Sequence, residues 1–162
     1  MVKTQTLKQI DFMKDLPEPI LERIAALAKE EEVQPGVVLQ RQGVEQEMVY
    51  MLLSGKVSLN CRNSAGETLT LDALEPGQTF GISGLLGREN SESTFTAVSE
   101  ECCTFLELSA AEMLDYFHSD YEVGHVLMDR VVNIYKNRRK LHSEQFTDSL
   151  AHHPAIASPG DS

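Results

Sequence analysis

The chain has 162 residues, enough for one domain with a core of its own and a short appendage. It is 41% hydrophobic and 24% charged, an ordinary globular balance, and its formal net charge of −11 works against a nucleic-acid surface, because affinity for phosphate backbones rests on Lys and Arg. No apolar run is long enough to span a bilayer and Met1-Val2-Lys3-Thr4-Gln5 has no apolar signal core, so a cytoplasmic protein with no membrane and no DNA among its partners is expected.

Residues 1–30 read as helical. Leu7, Ile10, Phe12 and Met13 suggest a short first helix. Ile20, Leu21, Ile24, Leu27 and Ala28 form one apolar stripe at helical spacing, with Glu22 and Arg23 opposite and Pro17 and Pro19 near the start, where proline is tolerated. Residues 31–108 change character. Short β-rich runs centred on Val33, Val38, Met51, Ser58, Leu69, Thr96 and Phe105 alternate with Pro35-Gly36, Gln42-Gly43, Ser54-Gly55, Ser64-Ala65-Gly66 and Pro76-Gly77. That pattern predicts a sandwich or jelly roll, with Ser54-Gly55 placed as a tight hairpin turn.

Helix returns over 109–146. Ser109 with Glu112 and Ser119 with Glu122 have the spacing of capping boxes, opening a short and then a long helix. In the long helix Leu127, Val131, Ile134, Arg138 and Leu141 step by four, three, four and three. Such a seam either packs on the chain's own barrel or pairs with a second copy. Lys136, Arg138, Arg139 and Lys140 read as cations suited to the C-terminal part of a helix. Residues 147–162, with Pro154, Pro159 and Gly160, read as a disordered tail.

Catalytic and metal signatures are missing. There is no Gly-x-Ser-x-Gly turn, P-loop or His-x-x-x-His pair, and Cys61, Cys102 and Cys103 lack metal spacing, so neither an enzyme nor a required cofactor or metal is expected. Cys102 and Cys103 adjoin on a strand and should face opposite ways, one into the core and one outward.

One ordered set of features remains. Ser54-Gly55-Lys56-Val57, then Leu74-Glu75-Pro76-Gly77, then Phe80-Gly81-Ile82-Ser83-Gly84-Leu85-Leu86, follow the leading helix in the order of the cyclic nucleotide-binding domain, which the chain resembles from about Leu16 to Phe146. The resemblance implies a jelly-roll barrel with flanking helices: 1–30 as leading helices, 31–108 as barrel, 109–146 as hinge helix and long helix. The segment after Phe80-Gly81 is then the phosphate-binding cassette, and the long helix is one that often dimerises. It implies a regulatory protein that responds allosterically to a small ligand.

The family cassette holds a cyclic phosphate by backbone N–H groups at a helix N-terminus, by an Arg, and by a Glu on the ribose hydroxyl. Here Ile82 stands at the Glu position and, counted without gaps, Ser91 at the Arg position. Gly81, Ser83 and Gly84 would let the backbone approach a ligand. Arg88, three positions before Ser91, is the alternative cation, and Ser93 and Thr94 add hydroxyls to the same loop. Weak or altered affinity for cyclic nucleotides follows. Only sixteen residues come after Phe146, fewer than a helix-turn-helix domain needs, so direct DNA binding is not expected. The expected partners are a second copy, through Leu127, Val131, Ile134 and Leu141, or another protein. The alternative is a ligand-free scaffold on the same fold, its pocket filled by side chains such as Ile82 and Phe95.

Overall fold

The computed structural model describes residues 2–87 and 92–151, with 141–151 described by their helical backbone alone. The N-terminal part holds α1 (Thr4–Leu7), a 3-10 turn (Asp11–Met13) and α2 (Glu18–Leu27). Eight strands follow: β1 (Lys29–Val33), β2 (Val38–Gln40), β3 (Met48–Ser54), β4 (Val57–Arg62), β5 (Thr68–Leu74), β6 (Thr79–Phe80), β7 (Thr96–Ser99) and β8 (Cys103–Ser109). The chain closes with α3 (Ala110–Ser119) and α4 (Tyr121–Ala151). The strands form two antiparallel four-stranded sheets in the orders β1-β8-β3-β6 and β2-β7-β4-β5. This is the expected jelly roll with flanking helices.

The first sheet is sandwiched, which explains why β3 reads as a continuous apolar run. Its Val49 and Met51 pack under the helices, while Tyr50 and Leu52 face the other sheet. Strand β8 divides in the same way, Leu106 and Leu108 to the helices and Phe105 and Cys103 to the barrel interior. The second sheet has one wet face, so β4 alternates: Val57, Leu59 and Cys61 are buried in the barrel, and Asn60 and Arg62 lie on the other side. Two cores result, one between helices and first sheet, one between the sheets.

Several boundaries differ from expectation. Ser54-Gly55 is no hairpin turn, because β3 and β4 lie in different sheets. It carries the chain across the sandwich, with Gly55 at φ 94, and a Cβ there would lie 2.5 Å from the Cys102 carbonyl oxygen. The true hairpin is β4–β5, where Asn63 Oδ1 accepts from the amides of Ala65 (3.0 Å) and Glu67 (2.9 Å). Strand β6, two residues long, had no signal in the pattern.

The Ser109 cap forms as expected, its Oγ accepting from the Glu112 amide at 3.3 Å. The long helix is capped by Asp120 instead of Ser119. Asp120 Oδ1 accepts from the Val123 amide at 3.3 Å, while Ser119 Oγ donates back to the Tyr116 carbonyl at 2.7 Å. Helix α4 continues to Ala151, through the first residues of the expected tail; 152–162 lie outside the described residues.

The seam on α4 is taken up by the chain itself. Leu127 and Val131 are 0% exposed in the helix-side core and Ile134 packs against it. The side chain of Leu141 lies outside the described residues. Leu127 and Val131 thus fill the chain's own core. The cysteines fall as expected, Cys103 buried and Cys102 exposed, and Cys61 is buried too.

Candidate functional site

The candidate site begins at β6. Thr79 and Phe80 pair with Met51 and Tyr50 of β3, and the strand stops because Gly81 turns into the left-handed region, at φ 78 and ψ 23. Gly81 caps a single 3-10 turn, Ile82–Leu85, closed by the Leu86 amide donating to the Ser83 carbonyl at 3.1 Å. Gly87 follows, again left-handed at φ 94. Arg88 and Ser91, the two residues on which a cationic contact was expected to turn, lie outside the described residues.

The cassette glycines have a packing role. A Cβ on Gly81 would lie 2.6 Å from the Met48 carbonyl oxygen, and one on Gly84 would run into the carbonyl of Gln46 and the Ala110 methyl. Their missing side chains admit the strand leading into β3, so they serve close packing of the turn on its own scaffold. Ile82, 5% exposed, joins the helix-side core with Leu85, Met113, Phe117 and Leu127. It does not fill the barrel, so that part of the scaffold expectation is corrected. Leu85 is buried beside it, Leu86 is half-buried and Ser83 is buried.

The barrel interior is lined by aromatics. Phe80 stacks on Tyr50 with centroids 5.0 Å apart, and Phe105 meets Tyr50 edge-on at 5.3 Å. Phe95 belongs to the same core. The Tyr50 hydroxyl crosses to the other sheet and donates to the Leu39 carbonyl at 3.2 Å; burial, and secondly the charge of Glu107, push its pKa up, so it stays a neutral donor. Ser93 is buried and accepts from Gln40 Nε2, while its own Oγ donates to the Phe95 carbonyl at 2.6 Å. Gln40 Oε1 is buried and has no hydrogen-bond partner among the described residues. Thr94 is exposed. Gln40 and Tyr50 carried no sequence signal, since a polar group on a short strand or an aromatic in a strand is ordinary composition.

Around the turn the helices close in. An apolar groove of about 760 Å³ runs between the cassette end and the two C-terminal helices, walled by Leu85, Leu86, Leu114, Phe117 and Met128. Arg138, read from the sequence both as a step of the seam and as a cation suited to the helix dipole, is only 9% exposed, and its Nη2 donates to the Thr79 carbonyl. Burial lowers its pKa to about 10, with Asp72 acting the other way, so it remains a cation at neutral pH. Among the described residues no group of three or more His, Cys, Asp or Glu could hold a metal ion, and no helix is long and apolar enough to cross a membrane.

A jelly roll whose β6 runs into a left-handed glycine and a short turn under two helices matches a known family model, the cyclic nucleotide-binding domain, over residues 30–120. The chain belongs to the cyclic nucleotide-binding domain family. Solved structures agree in fold. One neighbour is a protein of Geobacter metallireducens GS-15, provisionally designated cyclic nucleotide-binding. It is 23% identical at a TM-score of 0.73, over 85% of this chain and 98% of that one. The regulatory domain of Toxoplasma gondii PKA, crystallised with cAMP, is 24% identical at 0.61, over 72% of this chain and 42% of that one. The c-di-GMP-responsive global regulator CLP of Xanthomonas campestris is 18% identical at 0.66, over 84% of this chain and 65% of that one.

Proposed function

We propose that this chain is a regulatory sensor, not an enzyme, in which a small ligand held between cassette and barrel changes how α3 and α4 lie on the domain. The observation that carries the reading is the shared core: Ile82 and Leu85 of the cassette turn are packed with Met113 and Phe117 of α3 and Leu127 of α4. A ligand that moves the turn must therefore repack the helices. The open apolar groove beside Leu86 gives that movement somewhere to go.

Affinity for cyclic AMP or cyclic GMP is weak. Ile82 offers no polar atom to a ribose and faces the helices, and Ser91 stands at the position of the family's phosphate-binding Arg. Each lost charge-assisted contact costs about 1.5–3 kcal/mol. The orphaned Gln40 Oε1 suits a ligand that brings a hydrogen-bond donor into the aromatic interior. A second copy is the favoured partner. With Leu127 and Val131 consumed by the core, it would meet the neighbouring stripe of α4, Tyr121, His125 and Val132, of which Tyr121 is 82% exposed, flanked by Met128 and Tyr135, which pack partly on the core.

The second reading is a scaffold that binds no ligand, favoured by the aromatic packing of Tyr50, Phe80 and Phe105. A thermal-shift panel of cyclic mononucleotides and dinucleotides, followed by amide exchange on any hit, separates the two. The sensor reading expects at least one compound to raise Tm and alter exchange in α3 and α4, since a ligand of the native state stabilises it by mass action. A panel without a single shift, extended to uncharged heterocycles, overturns it in favour of the scaffold.

A further inference from the structure

Arg138 is the chemically odd residue of this fold. It is nine-tenths buried, yet no carboxylate lies within ion-pair distance of it among the described residues, where the two ion pairs are Lys8–Glu18 and Lys14–Asp11. Its Nη2 donates to the main-chain carbonyl of Thr79, and its Nη1 is buried with no hydrogen-bond partner. Thr79 Oγ1, on the same residue that Arg138 grips, is also buried without a partner. A buried guanidinium normally has its donors matched, because desolvating a charge is costly unless pairing offsets it. Among the described residues, one carbonyl bond holds this cation, with the charge of Asp72 acting on it from beyond ion-pair distance.

The place of that bond is specific. Thr79 is the first residue of β6, two positions before the left-handed Gly81 that opens the cassette turn. The side chain comes from the last buried α4 residue up to Lys140; Arg139 and Lys140 beside it are exposed. Leu127 and Val131, by contrast, are held by apolar burial, which no single polar exchange can undo.

We propose that Arg138 is a releasable latch and a positioning residue for the cassette: its guanidinium ties the distal part of α4 to the strand that leads into the cassette, so that lifting the helix and loosening the turn are one equilibrium. The latch opens readily because the guanidinium recovers water and satisfies its idle nitrogen when it leaves, while the apolar part of α4 stays docked. The inference rests on the cassette as the responsive element, but its readout needs no ligand, so it stands or falls separately from the sensor reading.

Amide hydrogen exchange on the full chain tests it with three variants. Arg138→Met keeps the aliphatic stem and removes the donor. It should speed exchange roughly fivefold or more at 79–86 and in 132–140 together, leave β3, β4 and β8 unchanged, and leave Tm unaltered or raised, since exchanging a poorly paired buried ion for an apolar group is often neutral or stabilising. Arg138→Lys restores one donor and should bring the rates part of the way back. Thr79→Val removes only the idle hydroxyl and should leave exchange as in the native chain. The proposal is overturned if Arg138→Met and Arg138→Lys both leave 79–86 unchanged. It is equally overturned if exchange rises to the same degree throughout the strands with a fall in Tm, which is what a merely structural residue would produce.

Discussion

At the scale of single residues, Ile82 tells the most. The family resemblance puts it where a ribose-binding Glu would stand, and the obvious repair is to introduce that Glu. The structure puts that side chain, 5% exposed, among Leu85, Met113 and Phe117. A carboxyl introduced there is desolvated with no partner, so Ile82→Glu should destabilise the fold by about 2–4 kcal/mol instead of building a contact. Urea unfolding would show it as a lower midpoint at constant slope. An unchanged midpoint would mean that the side chain can swing to the ligand side, and the repair would then be open.

Cys102 offers an independent check on local geometry. Its thiol lies 3.2 Å from Glu32 Oε1 across the β1–β8 pair, and that hydrogen bond, ahead of burial and charge, raises its pKa. The thiolate is the form that reacts. Alkylation of the native protein at neutral pH should therefore label Cys102 ahead of the buried Cys61 and Cys103, and Glu32→Gln should accelerate it. No acceleration would remove Glu32 as the cause.

At the scale of elements, what was legible depended on whether a pattern had one physical meaning. Helix α2, with prolines at its start and a stripe of Leu21 and Ile24, has one, and it forms where the spacing puts it. The Ser109 cap is another. Ser54-Gly55 had two, since a glycine-containing two-residue turn serves a hairpin or a change of sheet, and only the position of β8 beside β3 decides. Strand β6 is too short to have a period. Ser119 and Asp120 are both good caps one residue apart, and the backbone chose the second.

The α4 seam was ambiguous for a deeper reason: packing on one's own barrel and packing on a partner require the same 3.5-residue spacing. Burial decides for the barrel at Leu127 and Val131. Leu127→Ala should accordingly cost about 2–5 kcal/mol of stability while leaving the mass in light scattering equal to that of the native chain. A lower mass with intact stability would restore Leu127 to an interface.

At the scale of the molecule, the frame of the cyclic nucleotide-binding domain is intact: two sheets of four strands, a turn opened by Gly81, and α3 and α4 packed over it. The site's frame could be read from the order of Leu74-Glu75-Pro76-Gly77 and Phe80-Gly81, because those residues fix backbone geometry locally. The directions of Ile82 and Arg138 could not, because each is set by what the helices cover once they have packed.

The central claim is that this frame holds a sensor with poor affinity for the ligand of its family. Isothermal titration of the full chain with cyclic AMP tests it most directly. The account predicts a dissociation constant in the high micromolar range or weaker. A value below about 1 μM, equivalent to about 8 kcal/mol of binding free energy, would contradict it.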